Sequence, residues 1–543
     1  MQAVAQRRRA GMENRREEFL KTVCQIYMAA VLVVLPLYYI PGNGYYKLGD
    51  SKYYLYRNIS LICMGICLAV QIITVVRSCR MKQHCRMENG SSSGMYMRKT
   101  GGKMIRWCRE HSVVTAVCLY GFCALLSAIC SPYGRTAWVG EREWYMGAVA
   151  ICLMVGGFLM AVDYSGQCIR ILYLGEAAAV TVALIGLLQK LGYDPLGLLK
   201  GYVVGDWEYT HMLSTLGNNN WLSGYYSVML PLSLSLFCKA AEEGRRAASI
   251  LLGGGTVLVV VMSLLQGSDG GVMVACVTLW ICFWSSRKKN GLWEPLFVLL
   301  SGVCVGMLLW GKGMQSLGTY EILLQDGIAR KLAVWQGWLP LAVVCLLFCG
   351  IHYALPEQKK RALQIGALCG SLLLAAGVII WYILKLQGSD FAEWGNRRGM
   401  LWQMAWQGFC RGDLKQKLLG AGPDCFAGYL EQVLPGDTVL FDKGYFAGSI
   451  FTNAHNEWLT TLINLGLLGT VAYAAVFLTA LRKYRGNSMA IMLLFTYGMH
   501  SLISFQQVLN TPFFFLLLGV CEAEQRMNQQ YKTDTYEELM EIK

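Results

Sequence analysis

Apolar runs about one bilayer thick constrain this chain more than any other feature. They lie near residues 20–40, 58–76, 112–130, 145–162, 169–189, 221–238, 248–265, 271–286, 295–311, 333–353, 364–385, 457–480, 488–504 and 509–521, with the charges gathered in short clusters between them. A helix needs about 20 mostly apolar residues to cross a bilayer, because hydrocarbon offers nothing to an exposed N–H or C=O. The pattern predicts an all-α polytopic membrane protein with about 12–14 transmembrane helices, the last two runs being short. Of the 543 residues, 55% are apolar and 15% charged, against about 25% charged in an ordinary soluble domain. This balance argues against a soluble enzyme, a disordered chain, a disulfide scaffold and a nucleic-acid binder.

The net charge of +14 is explained by its placement. With a cytosolic N-terminus, the loops alternate sides, and 31 of the 48 Lys and Arg fall on the inside set, including Arg7–Arg9 and the 77–110 loop. Positive charge concentrates on the cytosolic face of membrane proteins, so both termini are expected inside. No small-residue cleavage site follows the first run, which therefore reads as an uncleaved span. The expected organisation is a basic N-terminus (1–19), helices 1–11 (20–386), an extracytoplasmic loop (387–456), C-terminal spans (457–521) and a cytosolic tail (522–543). Loops as long as 387–456 without an evident fold are usually functional or disordered, and the chemistry is expected there.

Several sites are absent or weak. No P-loop or HExxH is present. The letters G-x-S-x-G occur at 90–94, inside a Ser-rich linker that lacks the strand and helix a nucleophile elbow requires. Cys79, His84 and Cys85 lack a further partner at metal-ligand spacing. Most of the 21 cysteines sit in apolar runs and pack as small apolar groups. Cys410 and Cys425 both fall in the large loop, where a disulfide is one reading.

Three stretches on the outer face are unusual for membrane loops. GNNNWLSG at 217–224 runs into a span. A cap and turn is one reading of Asn218, Asn219 and Asn220; an amide-lined mouth for sugar hydroxyls or phosphate oxygens is the other. WGNRRGMLW at 394–402 precedes LGAGPD at 419–424, and Trp394, Leu401, Ala405 and Phe409 recur at helical spacing, as in a helix lying on a membrane surface. Its Arg397 and Arg398 could anchor that helix or clasp phosphate in a planar fork. TNAHNEWL at 452–459 places His455 at the start of a helix, whose positive end disfavours imidazolium. His455 reads either as a hydrogen-bonded cap or as a base for a hydroxyl nucleophile.

These stretches, in this order, resemble the O-antigen ligase and polymerase family of membrane glycosyltransferases. The resemblance is carried by GNNNWLSGYYSVMLPL, RRGMLW, LLGAGPDCF and AHNEWLTTLINLGLLG; it is dense over 390–480 and recognisable from about 210. It implies an integral-membrane glycosyltransferase (GT-C-like) fold in a bacterial cytoplasmic membrane with its site on the outer face. The implied donor is an undecaprenyl-pyrophosphate-linked glycan, the acceptor a hydroxyl of a glycan, lipid or wall polymer, with no nucleotide sugar, metal or other cofactor. By position, the family's arginine falls on Arg398 and its histidine on His455, beside Asn456. Arg397, Asn218, Asn219, Asn220, Arg142, Asp269 and Asp424 complete the expected substrate-binding set. Two departures stand out. Ser268-Asp269-Gly270 occupies a position where many members carry Ser-Arg-Gly, and Arg142, in GEREWYMG at 140–147, is offset from the family's basic position. Either Arg142 compensates or the pyrophosphate is gripped differently.

Overall fold

The computed structural model describes residues 2–88, 106–165, 168–203, 206–287, 289, 291–317, 331–332, 335–385, 391, 394–434 and 451–541. The Ser-rich linker with its G-x-S-x-G letters lies outside these, and so do the side chains of Cys79, His84 and Cys85.

Every apolar run falls on a helix. In chain order these are α1 (Gln2–Ala29, continued to Leu37 through a π turn), α2 (Leu48–Glu88), α3 (Ser112–Cys130), the short α4 (Arg135–Val139), α5 (Ala148–Tyr164), α6 (Ile169–Lys190), the short α7 (Trp207–His211) and α8 (Asn219–Glu242). Then follow α9 (Arg246–Leu265), α10 (Asp269–Ser286), α11 (Trp293–Leu317), α12 (Trp338–Ala354) and α13 (Glu357–Lys385). The large loop is not structureless: it folds into α14 (Trp394–Arg411), α15 (Leu414–Leu419) and α16 (Phe426–Val433). The chain closes with α17 (Glu457–Lys483), α18 (Ser488–Ser501) and α19 (Thr511–Glu541). Among the described residues, nine helices are long and apolar enough to cross a membrane. The fold is all-α apart from a two-residue hairpin, and it is compatible with a polytopic membrane protein.

Burial orders the bundle. The apolar window of α8 is 89% buried and that of α2 only 17%, so α8 is central and α2 peripheral. Around α8 pack α9, α10 and α18; α3 packs on α17, and α5 on α19. A central helix is shielded by protein on all sides, so it can carry Ser223, Ser227 and Ser233, whose hydroxyls bond to nearby backbone or side-chain oxygens. The Ser233 hydroxyl also donates to the buried Glu176 carboxylate on α6. Lys52, fully buried, donates from Nζ to the carbonyls of Leu35 (2.7 Å) and Pro36 (2.9 Å) where α1 ends. The cation thereby meets the negative end of a helix and satisfies carbonyls that have no intrahelical partner.

One helix is broken. Gly466, inside α17, has φ +65° and ψ −168°, outside helical space. The residues after α15 dock into this break: Ala421 N–H donates to the Ile463 carbonyl and Gly422 N–H to that of Asn464, both at 2.9 Å. Ser127 on α3 adds a bond from its hydroxyl to the Asn464 carbonyl at 2.8 Å. The two backbones touch closely enough that a Cβ on Gly466 would lie 2.5 Å from the Leu418 carbonyl, and one on Gly420 2.3 Å from the Asn464 carbonyl oxygen. Gly466→Ala combines a left-handed backbone with overpacking and should lower stability by about 3 kcal/mol. Gly254→Ala on α9, where a Cβ meets nothing within 4 Å, should be neutral or mildly stabilising. Thermal unfolding in detergent measures both.

Candidate functional site

The hairpin Met212–Leu213/Gly217–Asn218 turns the chain into α8. Asn218 is the N-cap, its Oδ1 accepting from Asn220 N–H at 2.8 Å. Asn219 is buried. Asn220 Oδ1 accepts from the hydroxyl of Ser268 at 2.8 Å, joining the start of α8 to that of α10. Ser268 itself caps α10, whose first residue is Asp269. The asparagine series therefore serves largely as the capping and bracing end of two helices.

Ser223, one turn further along α8, donates its single hydroxyl proton to the Asn220 carbonyl (2.8 Å) and lies 3.0 Å from His500 Nε2. The Ser223 hydroxyl thereby ties the start of α8 to the His500 ring. Nδ1 is buried and has no hydrogen-bond partner among the described residues. The sequence reading passed over His500. The signal was present: the segment between α18 and α19 interrupts an apolar run with Gln506, Gln507 and Asn510.

Arg398 sits in the first turns of α14, where Gly395 and Arg397 both have left-handed φ (+63° and +65°). Met400, Leu401, Met404 and Ala405 bury this helix against α16 and α17, as its helical spacing predicts. Arg398 lies within electrostatic reach of Asp269, His455 and His500. Burial pushes its guanidinium down from the ordinary value, and Asp269 opposes that shift. Asp269, the first residue of α10, thus bears electrostatically on Arg398. Arg142 is exposed and makes no hydrogen bond or ion pair with a described residue; nothing places it as the compensating cation. Arg397 is half-buried in the same turn as Arg398.

His455 precedes α17 with φ +48°. Its backbone N–H donates to Asn453 Oδ1 at 3.0 Å, and its ring meets Phe505 edge-on at 5.0 Å. Among the described residues, none hydrogen-bonds to its ring nitrogens. Burial first, and the Arg398 charge second, push it down to about 3, so the ring is neutral with a free acceptor nitrogen. Asn456 is the N-cap, its Oδ1 accepting from Leu459 N–H (3.0 Å), while its amide donates to the Leu502 carbonyl (2.9 Å). That amide holds the α18–α19 connection, and hence Phe505, beside His455.

The 140–147 turn reaches the same place through Trp144, which meets Phe505 edge-on at 4.8 Å and Trp221 at 6.1 Å. Asp424 fixes this turn from below: one carboxylate oxygen accepts from Glu141 N–H (2.7 Å) and Met146 N–H (3.0 Å). Burial pushes Asp424 up to about 6 against the opposing effect of those two bonds. That oxygen is occupied by backbone, which makes Asp424 a brace. Cys410 and Cys425 are not paired: Cys410 is exposed on α14, and Cys425 is buried with its thiol on the Pro423 carbonyl. Among the described residues, no group of three or more His, Cys, Asp or Glu is placed to hold a metal ion.

A pocket lies beside the aromatic wall, lined by Trp144, Asp424, Asn453, Glu457, Phe505 and Gln506 among others. His455 and Arg398 do not line it. The structure thus gathers one half-buried cation, two imidazoles and an aromatic wall at one end of the bundle, an arrangement able to hold an anion beside a proton acceptor. Comparison with protein-family models gives no match, and neither does comparison with curated proteins. Asp424→Ala would remove the partner of one buried N–H (Met146) and one part-buried N–H (Glu141) and should cost about 1–3 kcal/mol, whereas Asp424→Asn keeps an acceptor and should cost less than half of that. Thermal unfolding at pH 7.5 distinguishes the two.

Proposed function

We propose that the chain is a membrane glycosyltransferase that moves a glycan from undecaprenyl pyrophosphate to an acceptor hydroxyl on the outer face of a bacterial cytoplasmic membrane, polymerising surface-polysaccharide repeat units. The supporting observation is the convergence of Arg398, His455 and His500 from three separate parts of the chain, next to the Trp144–Phe505 wall. The sugar–pyrophosphate bond already carries a good leaving group. In the transfer, the acceptor oxygen bonds to the anomeric carbon as the bond to pyrophosphate breaks, giving inversion. The acceptor proton passes to the free nitrogen of His455. Negative charge developing on the pyrophosphate is met by Arg398, preorganised in a site shielded from water.

The low proton affinity of His455 fits this sequence of events. Burial depresses it first and the Arg398 charge second; an anionic pyrophosphate beside Arg398 would offset the second of these and strengthen the base once the donor is bound.

The test is glycan transfer by purified protein in proteoliposomes, with an undecaprenyl-pyrophosphate repeat unit as the only substrate and His455→Ala as control. A ladder of lipid-linked oligomers that vanishes in the variant supports the polymerase. Transfer appearing only on addition of lipid, wall-polymer or protein acceptors identifies a ligase instead. No transfer in either assay, with glycolipid flux persisting in an Arg398→Ala, His455→Ala double variant, identifies a transporter or flippase.

Within the glycosyltransferase, Arg398→Lys keeps the charge and loses the fork, and should lower kcat by about 10²-fold. His455→Gln should insert and fold normally while losing about 10²–10⁴-fold in rate. The pH dependence has a definite sign. A histidine held near 3 is already neutral at about pH 5, so kcat/KM should show no acid limb from His455 between about pH 5 and 7. A limb near the ordinary histidine value that persists in an Asp424→Asn, Glu457→Gln background, which removes the two buried carboxyl groups nearest His455 in sequence and pocket, would contradict this placement of His455.

A further inference from the structure

At the other end of α10, one helix length of about 27 Å from Asp269, lies a second pocket. It is formed where the α10–α11 connection faces the start of α13. Its lining includes four cations, Arg287, Lys289, Lys360 and Arg361, against one carboxylate, Glu357. The carboxylates nearby do not neutralise it. Lys289 pairs with Glu242 (2.6 Å) and Lys360 with Glu357 (3.0 Å), but solvent-facing pairs of this kind are worth little and exchange readily for a better anion. Arg287 is stacked on Trp284 at 3.8 Å and spends one N–H on the Trp284 carbonyl, which fixes the rest of its fork. Arg361 is exposed and makes no hydrogen bond or ion pair with a described residue.

The floor adds an independent requirement. Gln364, only 6% exposed, lines the cavity. Its amide N–H donates to His352 Nε2 at 2.9 Å, and His352 Nδ1 lies 2.8 Å from Glu294 Oε1. This relay holds the amide in one orientation and leaves Gln364 Oε1 buried without a hydrogen-bond partner among the described residues. A buried acceptor beneath a ring of cations calls for a ligand that carries both negative charge and a hydroxyl donor. The site lies at the ends of apolar helices. Trp284 and Trp293 flank it, as aromatic residues do at a bilayer interface. Basic pockets between spans at this level suit lipid head groups.

We propose that this pocket binds a phosphate bearing a neighbouring hydroxyl, supplied as the head group of an anionic lipid such as phosphatidylglycerol. The phosphate sits among Arg287, Arg361 and the two lysines, and the glycerol hydroxyl donates to Gln364 Oε1. The site is remote from Arg398 and His455 and does not depend on the glycosyltransferase reading.

Native mass spectrometry of the purified full chain, with added dioleoylphosphatidylglycerol or dioleoylphosphatidylcholine, tests this. The wild-type chain should retain the anionic lipid preferentially, and retention should fall as salt is raised. Arg361→Ala should weaken it by about tenfold, the effect of one charge-assisted hydrogen bond, whereas Lys359→Ala, which removes the same charge from an exposed position outside the cavity, should change it by less than about twofold. Equal retention of the two lipids by the wild-type chain, or equal losses in the two variants, overturns the proposal. Displacement of the lipid by millimolar inorganic phosphate also overturns it and makes free phosphate the ligand.

Discussion

A helix that breaks inside an apolar bundle must find new partners for the carbonyl groups it releases, because neither lipid nor side-chain hydrocarbon supplies any. The break at Gly466 meets that demand with backbone from the loop after α15 and the hydroxyl of Ser127. Most of the candidate site is hung from this junction. The loop that satisfies Ile463 and Asn464 continues directly into Asp424, which holds the 140–147 turn and with it Trp144. The upper half of the broken helix begins with Asn456, whose amide fixes the segment carrying Phe505. One requirement for hydrogen-bond satisfaction thus aligns four loops that are far apart in the chain.

Electrostatics gives the cluster its character. Arg398 is half-buried, with no ion pair at hydrogen-bond distance among the described residues, and its charge reaches two imidazoles and one carboxylate. Burial keeps His455 neutral, the cation adds to that effect, and the same cation makes an anionic guest favourable. His500 is oriented by Ser223, which is in turn tied to the α8 start. The asparagines that brace the first turns of α8 and α10 therefore act on this cluster indirectly, through the rigidity of the helices that carry Ser223 and Asp269.

The two ends of the bundle are built differently. At the α10 N-terminus a single arginine is enclosed with imidazoles and aromatic rings, whereas at its C-terminus four cations open onto a solvent-facing cavity over one buried acceptor. Enclosure makes the first a place where charge can be stabilised during a reaction, and openness makes the second a place to bind.

The sequence by itself determined the helices and their caps. Bilayer-length apolar runs leave no other way to satisfy the backbone, and Asn218 and Asn456 cap as local chemistry requires. It also pointed to Arg398 and His455, since a paired arginine and a His-Asn step at helix starts are local signals. What only the tertiary structure decided was which groups meet. His500 joins the cluster because α18 packs on α8, Asp269 faces Arg398 because α14 folds back over the bundle, and Asp424 became a brace because two N–H groups of a distant turn point at it. Cys410 and Cys425, near in sequence, do not meet, because α14 turns Cys410 to its exposed face while Cys425 is buried in the core that α14 shares with the 420–425 loop. Periodicity and caps are set within a few residues, whereas contacts between helices depend on packing across hundreds, and no local pattern records them.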